Sequence, residues 1–113
     1  MKVIQLESGN TITIGQNAVE NFKVIDNASP DDLWFHLKTL ASCHVVLKSD
    51  GPILDQDVKM AAELCLSNTK YREMNSVYVE YIKIKYVEKT ETPGKVILRN
   101  KPTLLKVING RCE

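Results

Sequence analysis

Two helical windows interrupt a chain in which apolar and polar positions otherwise alternate. Val3-Ile4-Gln5-Leu6 and Thr11-Ile12-Thr13-Ile14 flank Glu7-Ser8-Gly9-Asn10, a pattern that predicts a β-hairpin closed by a Ser-Gly-Asn turn. Gly15 ends the second strand. Asn17 stands as an N-cap with Glu20 at the capping-box position, and Ala18, Phe22 and Ile25 share one helical face, so a helix is predicted over 18–27. Residues 27–31, with Pro30, read as a turn. Strands over 32–38 and 43–48 follow as a second hairpin, and 49–52 is a loop. Val58, Ala61, Ala62 and Cys65 line an apolar stripe that predicts a helix over 56–68. Asp55 is its expected N-cap, and Lys70 and Arg72 suit the C-terminal end of its dipole. Residues 77–81 are strongly β-prone. Alternation continues through Tyr86, which puts Lys83 and Lys85 opposite Ile82, Ile84 and Tyr86. Pro93-Gly94 marks a turn, and 96–98 and 104–108 close the chain as short strands. The sum is an α+β domain: a mostly antiparallel sheet of about six to seven short strands with two helices.

One segment carries more than fold information. In Asp32-Leu33-Trp34-Phe35-His36-Leu37-Lys38, strand periodicity puts Leu33, Phe35 and Leu37 on one face. Asp32, Trp34, His36 and Lys38 take the other. That second face holds the chain's single Trp and one of its two His. It is the face expected of a surface that stacks on something planar and contacts something polar. The competing reading is a core Trp that caps the sheet beside a backbone-bonded His.

Composition narrows the class. A chain of 113 residues with 43% hydrophobic and 26% charged positions is an ordinary globular domain, so 1–113 is expected to be a single unit with one core. The net charge of +1 points to no partner, but its distribution is uneven. Residues 1–69 carry five Lys against nine carboxylates, a balance of −4, whereas residues 70–113 carry ten Lys and Arg against five, a balance of +5. This hints at a basic surface from the C-terminal half. Three cysteines at 43, 65 and 112 include no CxxC pair, so no zinc ribbon or redox dithiol is expected. Met1-Lys2-Val3-Ile4-Gln5 is not a signal peptide and no apolar run reaches span length. The expected setting is reducing and cytoplasmic, without membrane insertion.

Candidate chemistry is sparse. Cys43 and His44 are adjacent on a strand and point to opposite faces, so they form no dyad; Cys43 with His36 stays open through space. Asp32 and His36 lie about 13 Å apart along a strand, too far to share a metal ion, and His36 with His44 alone is a weak pair. There is no phosphate-binding glycine loop and no acid/base pair of carboxylates. No enzyme, cofactor or metal is expected. Nucleic-acid binding remains, with Trp34 for stacking, His36 and His44 for hydrogen bonds, and Lys38 and Lys48 for phosphate. Lys70, Arg72, Lys83, Lys85, Lys89, Lys95, Arg99 and Lys101 would extend that surface, unless they are simply solvated strand edges.

Asp32-Leu-Trp-Phe-His36, followed by His44-Val, resembles the signature of the NFACT-R domain family. Gly15-Gln16-Asn17-Ala18 with Asn21, the Ala61-Ala62-Glu63-Leu64 helix, Val77-Tyr-Val-Glu-Tyr81, Lys85–Lys89 and Pro93-Gly94-Lys-Val96 resemble its other segments. Asn17, Asp32, Leu33, Trp34, Phe35, His36 and His44 are the residues that carry the signature. The likeness spans nearly the whole chain and implies an RNA-binding module. In large members the domain belongs to proteins that act with tRNA on stalled large ribosomal subunits, and freestanding members occur. Ala41-Ser-Cys-His44 and Met74-Asn-Ser-Val77 look nearest to a eukaryotic branch with a C-terminal coiled coil, which the present sequence lacks. Gln16 replaces a common Arg, Ala41-Ser42-Cys43 replaces a common Pro-Gly-Ser, and Ile82 replaces a common Thr.

The expectation is therefore a non-catalytic module for structured RNA such as tRNA or rRNA, linked to ribosome-associated quality control, with DNA as an alternative nucleic acid. A protein-interaction adaptor using the Trp34 face or a sheet edge is the second reading. An accessory subunit of an RNA-modification system is the third, and an exposed low-pKa Cys43 would favour it.

Overall fold

The first hairpin pairs β1 (Lys2–Gln5) with β2 (Thr11–Gly15), Lys2 opposite Ile14 and Gln5 opposite Thr11. Gly9, at φ +94, occupies the left-handed turn position that favours glycine. The computed structural model describes residues 1–113. Next come α1 (Ala18–Asp26), β3 (Leu33–Leu37), β4 (His44–Lys48) and α2 (Asp55–Ser67). The chain ends with β5 (Ser76–Lys83), β6 (Val87–Lys89), β7 (Val96–Leu98), β8 (Thr103–Ile108) and β9 (Arg111–Cys112). Seven strands form one antiparallel sheet in the order β1-β2-β4-β3-β5-β8-β9, and β6 with β7 forms a separate two-stranded ribbon. This is the α+β fold the sequence predicts. No helix is long and apolar enough to cross a membrane.

The sheet is covered on both faces, but unequally. Ile12, Ile14, Phe35, Leu37, Val45, Leu47, Val79 and Val107 meet Val58, Ala61, Ala62, Cys65 and Leu66 of α2. The helical stripe read from the sequence is thus the buried one, and burying a side chain of the size of Val58 or Leu66 stabilises the fold by about 1.5–3 kcal/mol. On the opposite face Val24 and Ile25 of α1 meet Trp34, Val46, Ile82 and Ile84, with Val87, Val96 and Leu98 of the ribbon packed alongside. Adjacent residues Trp34 and Phe35 therefore belong to different cores. Beyond the ribbon, the second face of β5 and β8 stays open: Tyr78 is 47% and Leu104 40% exposed.

Several predicted details are corrected by packing. The buried side of α1 is Asn21, Val24 and Ile25, with Ala18 exposed and Phe22 partly covered. A Cβ on Gly15 would lie 2.5 Å from Asn21 Oδ1 and 2.9 Å from its backbone, so this close approach turns Asn21 inward. Its Oδ1 then accepts the His44 backbone N–H at 3.0 Å. Asp55 is the first residue of α2 rather than its cap; Leu54 holds the cap position without a side-chain bond, and Asp55 pairs with Lys59 at 3.3 Å. The strand from Val77 does not run to Tyr86. It ends at Lys83, and Ile84–Tyr86 forms a 3₁₀ turn. There Ile84 N–H donates to the Asp32 carbonyl and Lys85 N–H to the Pro30 carbonyl; Pro30 has no N–H to return, so the ladder stops. The hairpin strands are shorter than 32–38 and 43–48 by Asp32, Lys38 and Cys43.

Candidate nucleic-acid interface

β3 and β4 place Trp34, His36 and His44 in one cluster. His36 stacks on Trp34 with ring centroids 5.4 Å apart and planes within 7°, and His44 meets both rings edge-on at 5.3 Å. Trp34 Nε1–H donates to His44 Nδ1 at 3.2 Å, so neutral His44 carries its proton on Nε2. His36 Nδ1 lies 2.6 Å from the Leu37 carbonyl; a carbonyl only accepts, so that nitrogen holds the proton. Burial, followed by the nearby His36, pushes His44 down to about 4 against the opposing Gly94 backbone bond, and burial likewise lowers His36. Both rings are neutral at pH 7.

Trp34 is only 2% exposed. This corrects the expectation that Asp32, Trp34, His36 and Lys38 form an open face: α1 and the ribbon cover Trp34, and no base can stack on it. Asp32 is buried too, accepting from Ser29 N–H at 2.8 Å and Ser49 N–H at 3.4 Å. It ties together the turns that enter and leave the β3–β4 hairpin at its open end. Leu33 and Phe35 lie in the α2 core. Asn17 caps α1, its side chain accepting Glu20 N–H at 2.9 Å, while Glu20 reaches back to Gln16 N–H at 3.0 Å. Gly94, at φ +84, packs the ribbon turn onto Ala18. Most of the signature therefore builds the frame.

His36 is the partly exposed member of the cluster. With Trp34, His44 and Glu80 it forms one side of a cavity of about 530 Å³, and Thr90 and Gly94–Leu98 of the ribbon form the other. Glu80 sits directly across from His36 on β5. Burial raises its carboxyl above the usual range, with Lys38 opposing. The next row of the open face joins Tyr78 to Lys106, whose Nζ lies 5.9 Å from the Tyr78 ring centre. Lys38 adjoins it, its backbone N–H bonded to the Tyr78 carbonyl at 2.9 Å. Tyr78, Glu80 and Lys106 are absent from the sequence-based site. The available signal was the alternation of Tyr78 and Glu80 against Val77 and Val79.

The predicted cations do not gather in one place. Lys83 and Lys85 both reach Asp31, at 3.6 and 3.7 Å, Lys89 pairs with Asp26, and Arg99 with Glu88. Lys48 donates to the Asn27 carbonyl at 2.6 Å and Arg72 to that of Thr69 at 3.3 Å. Lys70 lies over the Tyr71 ring at 5.4 Å. Lys38, Lys70, Arg72, Lys95, Lys101 and Lys106 have no carboxylate within 4 Å. Of these, Lys38, Lys95 and Lys106 border the cavity and the open sheet face. Cys43 is buried against α2, its thiol 3.5 Å from the Cys65 carbonyl. It is on the opposite face from His36, so the open Cys43–His36 pairing does not form. The free Cys65 thiol, hydrogen-bonded to Cys43 and fully buried, is pushed well above its ordinary value.

Comparison with known proteins places this geometry in a family. The chain is 32% identical over 107 residues to Rqc2 homolog RqcH of Bacillus subtilis (strain 168), covering 92% of this chain and 19% of that protein. It is 31% identical over 78 residues to coiled-coil domain-containing protein 25 of Danio rerio, covering 68% and 38%. A solved structure, the C-terminal part of the fibronectin/fibrinogen-binding protein from Streptococcus suis, superposes with a TM-score of 0.83 at 28% identity over 94% of this chain and 43% of that one. The chain thus spans about a fifth of the Rqc2 homolog and well under half of the coiled-coil protein. The family described as NFACT protein RNA binding domain matches residues 3–100, and the chain belongs to it.

Proposed function

We propose that this domain binds RNA without catalysing a reaction on it, using the open face of β3, β5 and β8. The carrying observation is the family match over residues 3–100. The location is argued from chemistry: Tyr78 offers an exposed ring, and Lys38, Lys95 and Lys106 have no carboxylate within 4 Å. A flat aromatic flanked by cations suits unstacked nucleotides, with bases on the ring and phosphates on the ammonium groups. Structured RNA with exposed loops, such as tRNA or rRNA, fits that demand. The likeness to Rqc2 homologs favours a cytoplasmic role beside the ribosome in quality control.

Fluorescence anisotropy with tRNA and with a single-stranded oligonucleotide tests this. Lys38→Glu with Lys106→Glu weakens binding about tenfold or more at low salt, since each lost phosphate contact removes released counterions. Lys83→Glu, at a position already offset by Asp31, costs much less. Equal loss from the two variants would place the interface elsewhere, and no binding at low salt would end the RNA reading. The second reading, a protein-interaction adaptor, is favoured by the exposed Val3 on edge strand β1 and by the name of the fibronectin/fibrinogen-binding relative. Recovery of a protein partner from nuclease-treated extract would support it.

A further inference from the structure

We propose that the cavity between the ribbon and the sheet is a pocket for one unstacked guanine base, held by Glu80 and packed on His36. This rests on the RNA-binding reading and specifies what the RNA presents. The volume, about 530 Å³, lies in the range of small-ligand sites (about 300–1,000 Å³) and suits one nucleoside rather than a duplex. Its walls are of two kinds. Val96, Ile97 and Leu98 supply an apolar side from the ribbon. His36 supplies a planar one: it is braced from behind by Trp34, stacked within 7°, and its orientation is fixed by the bond to Leu37. An extruded base meets a rigid ring at no further ordering cost.

Glu80 decides which base. It stands next to His36 across the β3–β5 ladder, on the same face, and its carboxylate makes no hydrogen bond or ion pair within the protein. A carboxylate only accepts, and its two oxygens accept a parallel pair of N–H groups. Among the four bases, only guanine carries two adjacent donors on its Watson–Crick edge, N1–H and the N2 amino group. Adenine and cytosine each offer one donor beside an acceptor that a carboxylate repels, and uracil offers one donor between two acceptors. Lys95 at the rim and Lys38 beside Glu80 are placed for the phosphates on either side of the extruded nucleotide. The Tyr78 ring continues the path along the sheet.

Titration of the ¹⁵N-labelled protein with GMP, AMP, CMP and UMP tests the pocket without any mutation. GMP shifts the Trp34 indole, the His36 ring and the Ile97 amide, and binds about tenfold or more tightly than the other three, as a bidentate pair discriminates. Glu80→Gln abolishes that preference, and it also abolishes the preference of the domain for a uridine hexamer bearing one guanine. Equal shifts from all four nucleotides, or shifts that bypass the cavity, would overturn the assignment. The two readings separate cleanly. RNA bound at low salt with no guanine preference overturns the pocket alone, whereas selective GMP binding without RNA binding supports the pocket and ends the RNA reading.

Discussion

Trp34 illustrates how a residue's chemistry and its placement are independent. Its indole N–H goes to His44 Nδ1 and its ring supports His36, so it serves the site from beneath. Trp34→Phe leaves the buried His44 nitrogen without its donor, which costs about 1–3 kcal/mol, and the smaller ring adds a void. Urea unfolding reads that loss, while the RNA affinity of the folded variant stays near wild type. A variant of unchanged stability with much weaker RNA binding would return Trp34 to the interface. His44 makes a second expectation. Its folded pKa of about 4 lies below the ordinary 6.5, so between those values the unfolded chain binds the extra proton. Stability therefore falls as pH drops from about 6.5 toward about 4 and is level above that window. The limiting slope is about 1.4 kcal/mol per pH unit for one proton, and lowered His36 acts in the same direction. Thermal melts across this range check it; a flat profile contradicts the neutral, buried imidazole.

At the scale of elements, contacts of α1 decide what the second face becomes. Gly15 and Asn21 let the helix sit against β2 and β4, and Gly94 on Ala18 fastens the ribbon to the same helix. Gly15→Ala pushes a methyl into Asn21 Oδ1 and backbone, which cannot retreat as a flexible side-chain tip would. Overpacking of this kind costs about 1–3 kcal/mol, and the helix shift also disturbs the His44 backbone bond. A lowered melting temperature together with altered His44 resonances is expected; unchanged melting would mean α1 has slack. Both helices were legible, because the apolar stripe of α2 and the Asn17–Glu20 cap are local signals. The break at Ile84 was not, since Lys83 and Lys85 continue the alternation of β5 and only the position of Pro30 across the ladder ends it. The ribbon was equally hidden: β6 is three residues long and takes its identity from pairing with β7.

For the whole molecule, charge is the clearest lesson. The surplus of positive charge after residue 70 is real in the sequence, yet Asp26 from the acidic half pairs with Lys89, and Asp31 offsets one of the two charges on Lys83 and Lys85. Exposed pairs of this sort contribute little to stability, but they subtract from the potential an RNA would meet. A surface using Lys38, Lys95 and Lys106 engages about three phosphates. The plot of log affinity against log salt for single-stranded RNA then has a slope near about −2, and a much steeper slope would bring the paired lysines into contact as well. Residue order alone determined both helices, the strands other than β6 and β9, the buried stripe of α2 and the family signature, because periodicity, caps and turns are read within a few neighbouring residues. Tertiary structure alone decided that Trp34 is covered, that Glu80 and His36 share a cavity wall, and which cations stay without a carboxylate. Those outcomes depend on what α1, the ribbon and two distant aspartates bring over the sheet, and contacts between residues far apart in sequence leave no local pattern to read.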